Sequence, residues 1–176
     1  GQVPVYYAHK PSGGKSYWKE TYVDLSNKPL YPFGFGLSYT TFEISNLQQS
    51  RVSMGAGESV DIRVDVANTG DRAGDEVVQL YVHDEVAALT RPMQELKGFC
   101  RVHLQPGEQR TVTFTLPANL LGYTGPDMTT ILEPGAFKIM IGNASDNILL
   151  TGMIGVTGET ADIEATKKFF SEAIIS

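Results

Sequence analysis

The sequence predicts a mainly β protein built around a two-sheet sandwich, and three observations support this fold class. Several segments alternate strictly between apolar and polar residues, as half-buried strands do. Residues that form turns separate these segments at short intervals. Hydrophobic residues make up 41% and charged residues 19% of the 176-residue chain, which is typical of a globular protein.

Residues 1–42 form the first of three predicted parts, and we call this segment the strap. It holds more than half of the aromatic residues of the chain, interleaved with prolines and glycines that prevent a long helix or a regular strand. Each aromatic side chain has about 150–250 Å² of surface that is more stable when it is buried away from water. We therefore expect an ordered, irregular linker, which packs either on its own β domain or, as we favour, on a domain outside this sequence.

Residues 43–157 form the second part, the sandwich itself. Turn sequences such as Asn68-Thr69-Gly70 and Gln105-Pro106-Gly107 divide it into strands. A segment of this length can bury a self-sufficient core. The longer connections, 84–94 and 118–130, are where a sandwich would place a contact function. The alternating segments that we predict as strands lie at residues 60–66, 78–82, 96–104, 112–116, 137–141 and 148–156.

Residues 158–176 form the third part, for which the sequence predicts a short C-terminal helix. Thr160 is a suitable N-cap, and Asp162 and Glu164 would lie in the first turn. Phe170 and Ile174 would share an apolar stripe. A helix of this length is marginal alone in water, so it would have to dock on the sandwich or fray.

Charge and cysteine content exclude several functional classes. The net charge of −6 gives no reason to expect a nucleic acid partner or an anionic membrane, and no apolar run is long enough for a membrane helix. The single Cys100 excludes an internal disulfide. The chain opens on Gly1 without a signal segment, so we expect a cut inside a longer protein, either cytoplasmic or exported.

No catalytic constellation emerges from the residue pattern. The three histidines lie far apart in sequence, and adjacent carboxylates such as Asp84-Glu85 point to opposite faces of a strand. Cys100 shares its strand parity with Val102, which indicates a half-buried apolar role instead of a nucleophile. We therefore predict no catalytic residue, no metal site and no cofactor in this chain.

Residues 29–42, with Pro32-Phe33-Gly34 at their centre, resemble the run that precedes the last domain of glycoside hydrolase family 3 enzymes. These are the β-glucosidases, β-xylosidases and their relatives. Residues 74–82, 95–99 and 104–108 are similar to the fibronectin type III-like C-terminal domain of that family. The resemblance covers about residues 1–156 and makes the expected fold an immunoglobulin/fibronectin III-like sandwich.

The resemblance implies that the parent enzyme is a retaining glycosidase, in which one carboxylate attacks the anomeric carbon and a second group protonates the leaving oxygen. In this family those groups belong to preceding catalytic domains, so none is carried over, and we expect this chain alone to be inactive. Its partners would be those catalytic domains, with a homodimer through the exposed strap as a further expectation. The residues expected to pack between the domains are Tyr31, Phe33, Phe35, Tyr39 and Phe42.

Two other functions remain open at this stage. The first is an accessory carbohydrate-binding module, for which Tyr17, Trp18 and Tyr22 in the strap and Tyr123 in a sandwich loop are candidate platforms. Tyr17 and Trp18 could also border the substrate pocket of the parent enzyme. The second is a cell-surface immunoglobulin-like adhesion domain, which explains the sandwich but not residues 29–42.

Overall fold

The computed structural model describes residues 7–11 and 28–176, and it has the predicted mainly β sandwich architecture. Single 3-10 turns at Ala118–Leu120 and Glu164–Thr166 are the helical elements of the described residues. No helix of this part is long and apolar enough to span a membrane. The strands of the described residues, in chain order, are β1 Phe42–Gln49, β2 Ser53–Gly55, β3 Ser59–Asn68, β4 Gly74–Asp84, β5 Glu95–Leu104, β6 Gln109–Pro117, β7 Tyr123–Thr124, β8 Thr130–Leu132, β9 Gly135–Ala144, β10 Asn147–Thr157, β11 Ala161–Asp162 and β12 Glu172–Ile175.

Two sheets form the layers of the sandwich. The first has the strand order β1-β3-β6-β12, and the second has the order β2-β10-β9-β4-β5. All neighbours in these sheets are antiparallel except β2 and β10, which run parallel. A small third sheet, β11-β8-β7, forms from the connection after β6 and the start of the tail.

The core lies between the two large sheets and is supplied by one parity of each strand. In β3, the side chains of Val60, Ile62 and Val64 are fully buried, and their neighbours on the opposite parity point outward. Phe114 of β6 and Phe137 of β9 are the largest aromatic groups of this layer. Burial of one face and solvation of the other fixes the strand register, since a slip by one residue would expose the apolar set.

The predicted C-terminal helix is wrong. Residues 161–162 form β11, and Glu172–Ile175 forms β12, which pairs with β6 at the edge of the first sheet. An isolated helix of this length has little intrinsic stability, whereas the free edge of β6 offers a complete ladder of hydrogen-bond partners. The β-branched Ile174 and Ile175 also favour an extended backbone.

The tail also closes the gap between the two sheets. Ser171 donates a backbone hydrogen bond to the carbonyl of Lys97 on β5 (2.7 Å), so the segment before β12 bridges to the second sheet. Its side chain lies against Gly98, where a Cβ would meet the ring of Phe114 at 3.2 Å and come closer still to Ser171. The approach of the tail to β5 therefore depends on the absence of a side chain at position 98.

Candidate docking surface

The described part of the strap lies on the outer face of the second sheet. Its centre is Tyr7, whose ring stacks on Phe33 with a centroid distance of 4.3 Å and an interplanar angle of 18°. The same ring meets Tyr81 edge-on at 5.8 Å. Tyr81 belongs to the outward parity of β4, yet it is fully buried. The strap therefore covers this part of the sheet as a second, smaller apolar layer.

A polar network beneath the strap fixes its backbone. The Gln79 side chain, 3% exposed, donates through Nε2 to the carbonyls of Gly34 (3.1 Å) and Asn143 (2.7 Å). Its Oε1 accepts a hydrogen bond from the Tyr81 hydroxyl at 2.5 Å. Burial raises the pKa of Tyr81, so this hydroxyl keeps its proton and remains a donor. Every polar atom of the Gln79 amide group is thus engaged.

Gly34 is required at the point where the strap crosses Gln79. Its φ of +80° lies in the left-handed region, which glycine adopts without the steric penalty of other residues. A Cβ at this position would lie 2.8 Å from Cδ of Gln79 and nearer still to its amide oxygen. Further backbone links join Ser145 to Phe33 and Met93 to His9, each through an amide that donates to a strap carbonyl at 2.9 and 2.8 Å.

The end of the strap is anchored on Asn68, which is 1% exposed at the end of β3. Its Oδ1 accepts from the Thr40 hydroxyl (2.8 Å) and from the amide of Gly70 (3.1 Å). Its Nδ2 donates to the carbonyls of Arg72 (2.7 Å) and Leu104 (3.0 Å). One side chain therefore joins the strap, the β3–β4 turn and the end of β5.

The upper surface of the strap is apolar and exposed, although the backbone below it is fixed. Leu30, Leu37 and Tyr39 are 87%, 90% and 92% exposed. Apolar side chains also lie exposed on the outer face of the flanking strands β5 and β10. We call the whole set the docking face, and its members are Leu30, Tyr31, Phe33, Phe35, Leu37, Tyr39, Phe99, Leu149 and Met153. Large exposed apolar side chains gathered on one face in this way are characteristic of a surface that contacts another protein surface.

Four of the five aromatic residues predicted to pack between domains belong to this docking face. The fifth, Phe42, is the first residue of β1 and packs partly buried against the sandwich core. The predicted substrate-binding residues Tyr17 and Trp18 lie outside the described residues, as does Tyr22. Sequence analysis missed Gln79 and Tyr81 as anchors. An outward-facing tyrosine in the middle of a strand was the available signal, because so large a ring needs a cover.

Tyr123 does not offer a sugar platform. It is 6% exposed, and the Arg91 guanidinium lies over its ring at 4.7 Å. Burial, together with a hydrogen bond to Glu133, raises the pKa of Tyr123 to about 12. The ring face that would stack on a sugar is therefore already occupied by a cation.

Several titratable groups of the described residues form local pairs. Asp75 accepts from Arg101 at 2.6 Å and lies 3.0 Å from the His103 ring, and the pKa of Asp75 is lowered by these two contacts. Burial raises the pKa of Cys100, which keeps its thiol protonated at neutral pH. Within residues 7–11 and 28–176, no three His, Cys, Asp or Glu side chains converge in a way that could hold a metal ion.

Comparison with known proteins places this fold among sugar-cleaving enzymes. The family described as "Fibronectin type III-like domain" matches residues 76–145. The periplasmic beta-glucosidase of Salmonella typhimurium is 41% identical over 148 residues, which are 81% of this chain and 19% of the relative. A beta-xylosidase of Formosa agariphila is 43% identical over 149 residues, which are 82% of this chain and 20% of the relative.

Solved structures give the same result. The β-glucosidase from Erythrobacter marinus superposes with a TM-score of 0.80 at 42% identity, over 88% of this chain and 20% of that one. The β-glucosidase from Listeria innocua in complex with glucose superposes with a TM-score of 0.78 at 36% identity, over 89% of this chain and 22% of that one. The chain therefore spans about a fifth of the length of the proteins it matches.

Proposed function

The chain belongs to the glycoside hydrolase family 3 enzymes as the part that carries their fibronectin type III-like domain, and we propose that it is a C-terminal, non-catalytic structural module. In this proposal the parent enzyme hydrolyses terminal β-glucosyl or β-xylosyl residues with retention of configuration. The chemistry belongs to catalytic domains elsewhere in the parent chain. This module packs on those domains through the docking face.

One observation carries the proposal: a backbone held rigidly by buried hydrogen bonds presents large apolar side chains to solvent. Gln79 and Asn68 fix the strap from below, and both are almost fully buried. Leu37 and Tyr39 point away from the sandwich and are exposed by 90% or more. A strap that served only to cover its own sheet would bury these side chains, because their exposure forfeits about 1.5–3 kcal/mol each.

The packing role predicts different effects of Tyr39→Ala in the isolated chain and in the full-length enzyme. In the isolated chain the side chain is already exposed, so the free energy of unfolding should change by less than about 0.5 kcal/mol. In the full-length enzyme the same change should remove about 1.5–3 kcal/mol of stability, because the ring is buried there. Thermal unfolding of both proteins, with KM measured alongside, tests this difference.

Val52→Ala is the matched control, since Val52 is a 78% exposed apolar residue in the turn before β2, away from the strap. It should alter neither protein. A Tyr39→Ala enzyme with normal thermal stability would contradict packing by the docking face. A higher KM at unchanged stability would instead favour a direct role in substrate binding.

The isolated chain is expected to hydrolyse no β-glycoside. In the proposal the acid and the nucleophile of the retaining glycosidase belong to catalytic domains elsewhere in the parent chain. Among the described residues, Asp75 is an example of a carboxylate that is held in a local pair, with Arg101. Release of nitrophenol from aryl β-glucosides and β-xylosides by the purified chain measures this directly. Turnover above the blank that disappears on mutation of a residue of this chain would overturn the non-catalytic role.

A further inference from the structure

A cation-rich cavity of about 290 Å³ lies where β5, the Ala118–Leu120 turn, β7 and the tail meet. Four cationic side chains line it: Arg91, Lys97, Lys167 and Lys168. Of the described residues in its lining, Glu95 alone carries a carboxylate. This concentration of positive charge contrasts with the net charge of −6 of the whole chain.

Glu95 does not neutralise the cavity, because two cations share one of its oxygens. Its Oε2 accepts from Arg91 Nη2 at 2.9 Å and lies 3.7 Å from Lys97 Nζ. The Lys97 side chain is only 12% exposed. Burial lowers the pKa of Lys97; Glu95 opposes this shift through its charge and a hydrogen bond, and the charges of Arg91 and Lys167 add to it. A buried ammonium group beside two further cations gains stability from an additional anion.

Three further carboxylates lie near the cavity. Two of them, Glu133 and Glu164, accept hydrogen bonds from other groups. The third, Asp84, makes a second, longer ion pair with Arg91, while its Oδ1 has no hydrogen-bond partner among the described residues. Glu133 accepts hydrogen bonds from the Ala88 amide and the Tyr123 hydroxyl. Glu164 accepts from the Thr130 amide at 3.0 Å. Asp84 accepts from the backbone of Val86 and lies 3.9 Å from Arg91 Nε, too far for a hydrogen bond.

Two residues in the cavity lining also carry buried polar atoms without a hydrogen-bond partner among residues 7–11 and 28–176. Arg91 Nε is an unpaired donor, and Asn119 Oδ1 is an unpaired acceptor. The orientation of the Asn119 amide is fixed, because its Nδ2 donates to the carbonyl of Thr166. Unpaired buried groups cost about 1–3 kcal/mol each unless a ligand satisfies them. The lining of the cavity thus combines cationic side chains with one amide oxygen, Asn119 Oδ1, that can accept a hydroxyl or amine hydrogen.

An aromatic ring completes the lining. Phe169 is 69% exposed, and Lys167 Nζ lies 5.7 Å from its ring centroid. Unlike the buried Tyr123, Phe169 keeps open ring surface beside the lysine, and this surface can contact the apolar face of a sugar ring. Positive charge, an acceptor for a hydroxyl and an exposed aromatic face therefore lie together in a cavity large enough for a monosaccharide.

We propose that this cavity binds a sugar acid, a monosaccharide unit that carries a carboxylate. The carboxylate pairs with Lys97, Lys167 and Lys168, and a ring hydroxyl donates to Asn119 Oδ1. The inference does not depend on the proposed packing role, because the cavity and the docking face share no residue.

Titration of the isolated chain with sodium glucuronate at low ionic strength, followed by amide chemical shifts, tests the proposal. We expect saturable shifts around the cavity with a Kd on the order of 1 mM, the range for a ligand of this size. Glucose and inorganic phosphate, titrated separately, should each bind at least about fivefold more weakly than glucuronate. Glucose has the ring hydroxyls but no carboxylate for the lysines, and phosphate has the negative charge but no sugar ring.

Two variants assign the binding to the cavity. The double change Lys167→Gln with Lys168→Gln removes two cations near the surface and should weaken glucuronate binding at least about fivefold. Asn119→Asp, which replaces the acceptor by a carboxylate of the same shape, should weaken it as well. Lys138→Gln on β9 is the matched control and should leave the affinity unchanged. Thermal unfolding of each variant checks that it is folded.

Three outcomes would overturn the proposal. The first is an absence of saturable shifts up to 20-fold above the expected Kd, about 20 mM. The second is phosphate binding as tight as that of glucuronate, which would mean a simple oxyanion site without a role for the hydroxyl. The third is an unchanged affinity in the double lysine variant, which would place the binding elsewhere on the chain.

Discussion

Asn68→Ala is expected to lower the free energy of unfolding of the isolated chain by about 3 kcal/mol or more. The side chain is 1% exposed and makes four hydrogen bonds, so its removal leaves the buried Leu104 carbonyl and the half-buried Gly70 amide without this partner. A buried group left without a partner costs about 1–3 kcal/mol. For a chain of this length the melting temperature should fall by roughly 6–12 °C.

Asn147→Ala is the matched control for this experiment. Asn147 is exposed, and its Nδ2 donates only to Asn143 Oδ1. Its loss should change the free energy of unfolding by less than about 0.5 kcal/mol. Asn68→Asp separates the two halves of the contact, because it retains an acceptor for Thr40 and Gly70 but loses both donors. If Asn68→Ala melted like the unchanged chain, Asn68 would not be the anchor of the strap.

Gly34→Ala is expected to release the centre of the strap, with a loss of about 2–4 kcal/mol. The left-handed backbone costs a residue with a Cβ about 1–2 kcal/mol. In addition, the new Cβ would displace the Gln79 side chain and break its buried hydrogen bonds. Chemical denaturation measures the total loss. Hydrogen exchange at the Ser145 amide reports the strap itself, because this amide donates to the carbonyl of Phe33.

Two other glycines separate the causes. Gly107 has a φ of +74° with open space around its Cβ position, so Gly107→Ala measures backbone strain alone. Gly36 lies in the strap with nothing within 4 Å, so Gly36→Ala should be nearly neutral. The difference between the losses of unfolding free energy in Gly34→Ala and in Gly107→Ala then measures the contribution of the clash with Gln79. If Ser145 exchange in Gly34→Ala matched that of the unchanged chain, the described contact between strap and sheet would be contradicted.

The strands could be predicted because local sequence patterns encode them. Period-two alternation in 60–66 and 112–116 places one apolar set on one face, and β3 and β6 are the strands that result. The tail could not be predicted in the same way. Its apolar spacing at Phe170 and Ile174 suits a helix and a strand alike, and the free edge of β6 made the strand more stable.

The sequence by itself determined the two-sheet architecture, the positions of the six longer strands β3, β4, β5, β6, β9 and β10 and the aromatic character of the strap, because these depend on composition and on short-range periodicity. Only the tertiary structure decided which buried polar groups hold the strap and where the lysines of the tail lie. The Gln79 side chain bonds to Gly34, which lies 45 residues earlier in the chain. Lys97 and Lys167 line one cavity, and the tail that carries Lys167 is held there by the pairing of β12 with β6. Such contacts between distant residues leave no local pattern, since chain topology alone brings the partners together.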